Sequence, residues 1–243
     1  MKISINILTW NNINTVADTI AILKEDLKDM HHEIIIVDNG STDGCAELAT
    51  IANKENKGVS IGKNQALDTS QGEYVFLLDG DIVPVPNSIN KLIEYLEQHK
   101  DCHAIGFYPN KFNNQRNKLG QAKYHEHYCD ELFEPKIHTQ AICFYGLFRL
   151  ETLREHMIRF PEYGTFGECG YGWEDSDFYM QMREAGLEQW VAGMNTIIGK
   201  YYHEINSSIR EMGQTAYMAT SRRRRQDFAD RWGDKEKLYY NVR

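Results

Sequence analysis

EYVFLLDGDI (residues 73–82) joins an uninterrupted apolar run to an abrupt acidic end. The run VFLL lacks the alternation of a half-exposed strand. It fits a strand covered by helices on both faces, the usual setting of a parallel sheet. Asp79 and Asp81 follow at once, with only Gly80 between them. Carboxylates carried into a core would meet a heavy desolvation penalty, so they mark the point where the strand leaves it. In open parallel sheets, ligands gather beyond that carboxyl end.

The flanking segments repeat the arrangement. Ile3, Ile5, Ile7 and Leu8 open a strand that ends at Thr9 and Trp10, and Ile13, Val16, Ile20, Leu23 and Leu27 then recur at helical spacing. EIIIVD (33–38) is a second continuous apolar strand, closed by the turn-forming NGSTDG (39–44). Ile51 and Ala52 read as a short third strand, and Ser60 as the cap of a helix carrying Ile61, Asn64, Leu67 and Asp68. Alternating strands and helices imply parallel strands joined by right-handed crossovers. Thr9, Asp38, Asp79 and Asp81 then all stand at carboxyl ends.

Beyond a helix at about 87–99 the pattern changes. HAIGFY (103–108) and AICFYGLFRL (141–150) read as strands of a different sheet region, and the polar segment 109–138 between them, without dependable periodicity, as containing a loop that touches a substrate. EDSDFYMQMREAG (174–186) is a helix stopped by Gly186, VAGMNTIIGKYYH (191–203) supplies one or two short strands, and Gln214 to Trp232 form a polar helix.

Composition narrows the classes. With 27 basic against 35 acidic residues, the formal charge of −8 does not fit a general nucleic-acid binder, though it permits a local basic patch. Five scattered cysteines without a CxxC pair argue against a disulfide framework and a thiolate zinc site. The opening MKISINILTW has no leader-like apolar region, and no apolar stretch is long enough to span a bilayer. A cytoplasmic, reducing location is expected, and a single domain over residues 1–243.

Several groups can carry chemistry. A strand-end Asp-Gly-Asp can hold a hard divalent cation, manganese or magnesium, shared with substrate phosphates, and Gly80 leaves room for close approach. A plain surface turn is the simpler reading. Asp38 can accept a hydrogen bond from a base imide or merely close a local turn through Ser41 and Thr42. NKGVSIGKN (56–64) brings Lys57, Gly58, Lys63 and Asn64 near the expected ligand, to touch ribose or phosphate. It matches neither GxxxxGK[ST] nor GxGxxG, which weighs against ATP hydrolysis and dinucleotide chemistry.

In GYGWEDSDF (170–178), Trp173 offers an apolar face for a sugar ring, and Glu174, Asp175 and Asp177 crowd a helix start. A carboxylate there can act as general base toward a hydroxyl. His203, alone, is a surface or core histidine unless its strand ends near the metal. In HEHYCD (125–130), His125, His127 and Cys129 alternate but lack a fourth zinc ligand. Arg222 to Arg225 wrap right round a helix and cannot all meet one ligand.

SINILTWNN, EIIIVDNGSTDG, NKGVSIGKNQALDTSQGEYVFLLDGDI and GYGWEDSDFYMQMREAG together resemble the nucleotide-sugar glycosyltransferases of family 2, with the GT-A fold. The resemblance implies an α/β fold: a mostly parallel central sheet flanked by helices, plus a small mixed acceptor-side sheet. Residues 1–100 would then bind the nucleotide sugar, 101–213 the acceptor, and 214–243 form a helical tail. It implies that Thr9, Trp10 and Asp38 hold the nucleobase, that Asp79 and Asp81 engage ribose, diphosphate and Mn2+ or Mg2+, and that Asp175, beside Glu174, is the base. GYGWED is similar to the WGGED segment of galactosyltransferases and polypeptide N-acetylgalactosaminyltransferases, which implies His203 as a further metal ligand.

The reaction so implied moves a sugar, with inversion, from a nucleoside-diphosphate sugar, expected to be a UDP-sugar, to an acceptor hydroxyl. A glycan, a protein, a lipid-linked sugar and a modified nucleic-acid base all remain open as acceptors. Alternatives are a non-catalytic nucleotide-sugar-binding module and a sugar-phosphate nucleotidyltransferase, which would release pyrophosphate rather than a nucleoside diphosphate.

Overall fold

The computed structural model describes residues 2–84, 86–107, 111–113, 124–128, 136–137, 143, 145–162, 172–192, 200–204 and 214–235. Strand β1 (Lys2–Thr9), helix α1 (Ile13–Asp26), β2 (His31–Asp38), β3 (Ile51–Ala52), α2 (Val59–Thr69) and β4 (Tyr74–Asp79) form the alternating first part. β5 (Ile82–Val83), α3 (Ser88–Gln98), β6 (Ala104–Phe107), β7 (Lys111–Asn113), β8 (Tyr124–Tyr128) and β9 (Lys136–Ile137) follow. β10 (Tyr145–Arg149), α4 (Leu150–Glu155), α5 (Glu174–Glu184), β11 (Gln189–Ala192), β12 (Lys200–Glu204) and α6 (Gln214–Trp232) complete the described elements.

The main sheet runs β3-β2-β1-β4-β10-β6-β11-β9. β1 lies between β2 and β4, parallel to both. Its continuous apolar character follows from that place: Ile3, Ile5 and Ile7 are fully buried with Phe76, Leu78, Val16 and Leu23. A second cluster joins Val75, Leu77 and Phe148 to Phe178 and Met182 of α5. Burial on both faces is what removes the period-two alternation.

Register aligns the carboxyl ends. Thr9 pairs with Asp38, and Leu8 with Asp79, so the three strands finish side by side. Gly80 completes the junction, its N–H donating to Leu8 O at 2.8 Å. A Cβ on Gly80 would lie 2.5 Å from Leu8 O and 2.9 Å from Thr9 Cα. The glycine between the aspartates is therefore demanded by the neighbouring strand, not only by ligand access.

β6 and β10, expected in a different sheet region, extend the main sheet instead. β10 runs antiparallel to both β4 and β6, with Tyr145 against Leu78 and Arg149 against Tyr74. An apolar run reports burial but not strand direction, so the sequence could not fix this. Arg149 secures the join by donating to Leu96 O at 2.6 Å at the end of α3, where its charge suits the helix dipole.

The expected small second sheet is present, as β5-β12-β8-β7. Its described pairings are all antiparallel rather than mixed. Helix α2 starts at Val59 with Gly58 as its cap, not at Ser60. Gly58 has φ +87°, and Asn56 Oδ1 accepts its N–H at 2.8 Å, so the chain turns into the helix two residues early. No helix among the described residues is long and apolar enough to cross a membrane.

The Gly80 contacts generate a prediction. Gly80→Ala should destabilise the fold by about 1–3 kcal/mol in denaturant unfolding, the usual effect of forcing atoms into close-packed structure. Unchanged stability would mean that the strand ends are not in this contact.

Candidate active site

The rim formed by β1, β2 and β4 is preorganised by buried polar groups. Thr9 is buried, with its hydroxyl 3.5 Å from Cys45 Sγ. Asp38, also buried, accepts the Ser41 N–H at 3.2 and 3.3 Å and the Ser41 hydroxyl. The local turn is thus formed, and it fixes the carboxylate at the strand end. Asn39 anchors the approach to α2: its amide donates to Asn56 Oδ1 at 2.8 Å and accepts from the Lys57 N–H at 3.0 Å. Lys57 and Gly58 are thereby held over the carboxyl edge, and Trp10 stands half-buried at the end of β1.

Lys63, on the buried side of α2, forms the centre. Its Nζ lies 3.1 Å from Asp79 Oδ1 and 3.1 Å from Asp175 Oδ1. It also donates to Cys143 O at 3.4 Å and sits 5.0 Å from the Phe160 ring centroid. Burial alone lowers the pKa of such an ammonium, but Asp175, Asp79 and Glu174 outweigh it and hold Lys63 well above the ordinary lysine range. Its side chain is 6% exposed, whereas that of Asp79 is 35% exposed. The lysine therefore lies behind, and the carboxylate faces the opening.

Negative charge still exceeds positive charge here. Desolvation first, and then the neighbouring Asp175 and Asp81, push Asp79 up to about 6 despite Lys63. Desolvation, followed by repulsion from Asp175, pushes Glu174 up to about 7. Carboxylates that resist ionisation for these reasons form an oxygen-rich donor set suited to a hard divalent cation. Asp79 and the half-buried Asp81 fit such an ion, although no set of three His, Cys, Asp or Glu groups is clustered as a metal site among the described residues.

The acidic helix start divides its work. Glu174 and Asp175 are half-buried beside Lys63, while Asp177 is fully buried and turned away. Asp177 accepts from Trp232 Nε1 at 2.9 Å, Gln181 Nε2 at 2.7 Å and Arg231 Nη1 at 3.0 Å. It latches α6 onto α5 and so supports the turn of helix that carries Asp175. Trp173 caps α5 at φ +70°. Its ring lies 5.3 Å from Phe228, with Arg225 over it at 5.5 Å, so its contacts go to α6.

Other expected positions have different surroundings. The Asn64 amide donates to Phe160 O at 2.9 Å and to Glu162 Oε1 at 2.7 Å, and accepts from the Phe160 N–H at 3.0 Å. It thus holds segment 160–162 rather than facing the opening. The backbone of His203 pairs with Ile82, immediately after Asp81, and with His125 on β8. Cys129, Gly170, Tyr171 and most of 109–138 lie outside the described residues. Of the arginine run, Arg224 is buried and pairs with Asp227 at 3.1 Å, while Arg222 and Arg223 are exposed.

The bridging place of Lys63 and the latch at Asp177 were missed from sequence. A signal for the first existed: Lys63 shares a helical stripe with the buried Ala66 and Leu67, where an unpaired ammonium would not be tolerated.

The sequence profile of Glycosyl transferase family 2 matches residues 4–157. Poly(ribitol-phosphate) beta-N-acetylglucosaminyltransferase TarP of Staphylococcus aureus (strain N315) is 30% identical over 119 residues, 44% of this chain and 36% of that protein. S. aureus TarS, solved in complex with UDP-GlcNAc, superposes with a TM-score of 0.62 at 18% identity, covering 83% of this chain and 58% of that one. A mannosyltransferase of Pyrobaculum calidifontis, solved with GDP-Man and Mn2+, gives 0.54 at 17% identity, covering 79% and 56%. These likenesses bear out the GT-A fold. The chain matches half or less of the length of its curated relatives.

Two predictions follow from the buried charges. The folded state holds the Glu174 proton more tightly than the unfolded chain, so its contribution is present below the ordinary 4.5 and is lost as pH rises through about 7. Glu174→Gln should therefore raise the melting temperature by at least about 2 °C near pH 8, with the gain fading toward pH 4–5. Trp232→Phe removes a donor from a fully buried carboxylate and should destabilise by about 1–3 kcal/mol in denaturant unfolding. An unaltered midpoint would show that α6 is not latched there.

Proposed function

The chain belongs to glycosyl transferase family 2, and on that premise we propose that it transfers a sugar from a nucleoside-diphosphate sugar to an acceptor hydroxyl. One observation carries the reading: Asp79, from the end of β4, and Asp175, from the start of α5, meet at the same buried ammonium. A donor-side carboxylate and a candidate base are thereby held in one cleft. A binding module has no need of a base beside the donor-side carboxylate, whereas a nucleotidyltransferase is distinguished by its release of pyrophosphate.

Thr9, Trp10 and Asp38 would line the nucleobase end of the cleft, with Lys57 and Gly58 beside the ribose and phosphates. Asp79 and Asp81 would hold a manganese or magnesium ion, which when bound supplies positive charge to a departing diphosphate. His203 is proposed as its further ligand, from its register beside Ile82. Asp175 would take the proton of the acceptor hydroxyl as that oxygen bonds to the anomeric carbon. The bond from that carbon to the diphosphate breaks with its electron pair on the leaving group, and a single displacement inverts the centre. Glu174 stands next to the base at the same helix start. The UDP-GlcNAc, GDP-Man and Mn2+ named with the two solved structures support the donor class and the ion. A UDP-sugar is the proposed donor.

The test is release of nucleoside diphosphate from a panel of UDP- and GDP-sugars by the full chain with manganese chloride. Asp81→Ala should lose this activity with the fold retained, and exhaustive chelation should do the same. Asp175→Asn should lower kcat by about 10²–10⁴-fold, the usual worth of a general base, with little change in donor KM. Release of pyrophosphate instead would assign nucleotidyl transfer. Full turnover by Asp175→Asn would remove the base from Asp175.

A further inference from the structure

We propose that Lys63 is a positioning residue of the transfer reaction, fixing the acceptor-side carboxylate Asp175 at a set distance from the donor-side strand end. The proposal rests on the transferase reading above and assigns a role to the ammonium at which that reading's two carboxylates meet.

Three elements converge on this one nitrogen. α2 supplies Lys63, β4 supplies Asp79 and α5 supplies Asp175, with both oxygens at 3.1 Å. An ammonium this buried is tolerated only with close, well-oriented acceptors, and here two carboxylates and the Cys143 carbonyl provide them. The bridge spans distant parts of the chain, since Lys63 and Asp175 are 112 residues apart. It therefore sets a separation that no local turn fixes.

Exposure separates this role from direct substrate binding. A diphosphate entering from solvent meets Asp79, which is 35% exposed, before it meets a lysine that is 6% exposed. The contact of Lys63 with Asp175 is to Oδ1, so the bridge engages one of the two carboxylate oxygens. During transfer the acceptor proton passes to Asp175, the new bond forms at the anomeric carbon, and the diphosphate leaves with its electron pair. Lys63 stays an ammonium throughout. Its contribution is geometric, and small displacements of a reacting group can lower rates by about 10²-fold.

Turnover of UDP-GlcNAc and of GDP-mannose, read as nucleoside diphosphate release with manganese chloride, tests the assignment in the full chain. Lys63→Met should lower kcat by about 100-fold while the donor KM stays within about threefold. Lys63→Arg, which restores a cation able to bridge both carboxylates, should recover at least about a tenth of the native kcat. If Lys63→Met does not fold, Lys63→Gln carries the same expectation. A loss confined to donor KM would make Lys63 a donor ligand and overturn the proposal. So would native turnover by Lys63→Met, which would leave the transferase reading intact. Silence of the native chain toward every donor would overturn that reading, and this role with it. A melting-temperature cycle of Lys63→Met, Asp175→Asn and the double variant gives an activity-free check: the bridge predicts non-additive shifts, and additive ones would refute it.

Discussion

A single buried ammonium holds the two halves of the candidate site together. Lys63 lies under the carboxyl edge of the sheet and touches the end of β4 and the start of α5 at equal distance. Removing either kind of charge would leave the other uncompensated in a desolvated place, which is why such pairs are destabilising to break even when they add little net stability. The site's geometry therefore depends on electrostatics across the fold rather than on local chain preference.

Around that contact the architecture assigns each acidic group a distinct task. Asp38 closes a turn, and Asp79 faces the opening with Asp81 beside it. Glu174 and Asp175 crowd the cleft, and desolvation makes Glu174 reluctant to ionise. Asp177, only two residues beyond Asp175, belongs to the scaffold and ties the last described helix to α5. Carboxylates close together in sequence thus divide between the candidate site and the scaffold according to which face of the helix they occupy. The same helix start that presents the candidate base is anchored from behind by an indole and a guanidinium.

Much of the first half was legible in the sequence. Continuous apolar strands, helical spacing from Ile13 to Leu23 and polar residues at strand ends gave the parallel sheet and the rim of Thr9, Asp38 and Asp79 in register. What escaped depends on long-range geometry. The strand direction of β10 cannot be read from an apolar run, and the register that brings β12 beside β5 is set by partners far away in the chain. Gly80 was read as room for a ligand, yet its first constraint is the backbone of Leu8 and Thr9. Asn64 looked like a ligand contact because of its neighbours in sequence, but its amide is taken by Phe160 and Glu162. A polar side chain declares that it needs partners, not which ones.

The central claim is that the carboxyl ends of β1, β2 and β4 and the start of α5 border one nucleotide-sugar cleft. Manganese anomalous scattering from crystals of the full chain soaked with UDP and manganese chloride addresses it most directly. The account predicts a strong peak against Asp81 and Asp79, with the diphosphate on the peak's far side and uracil toward Asp38. Ordered UDP bound elsewhere, with no anomalous density at that strand end, would contradict it.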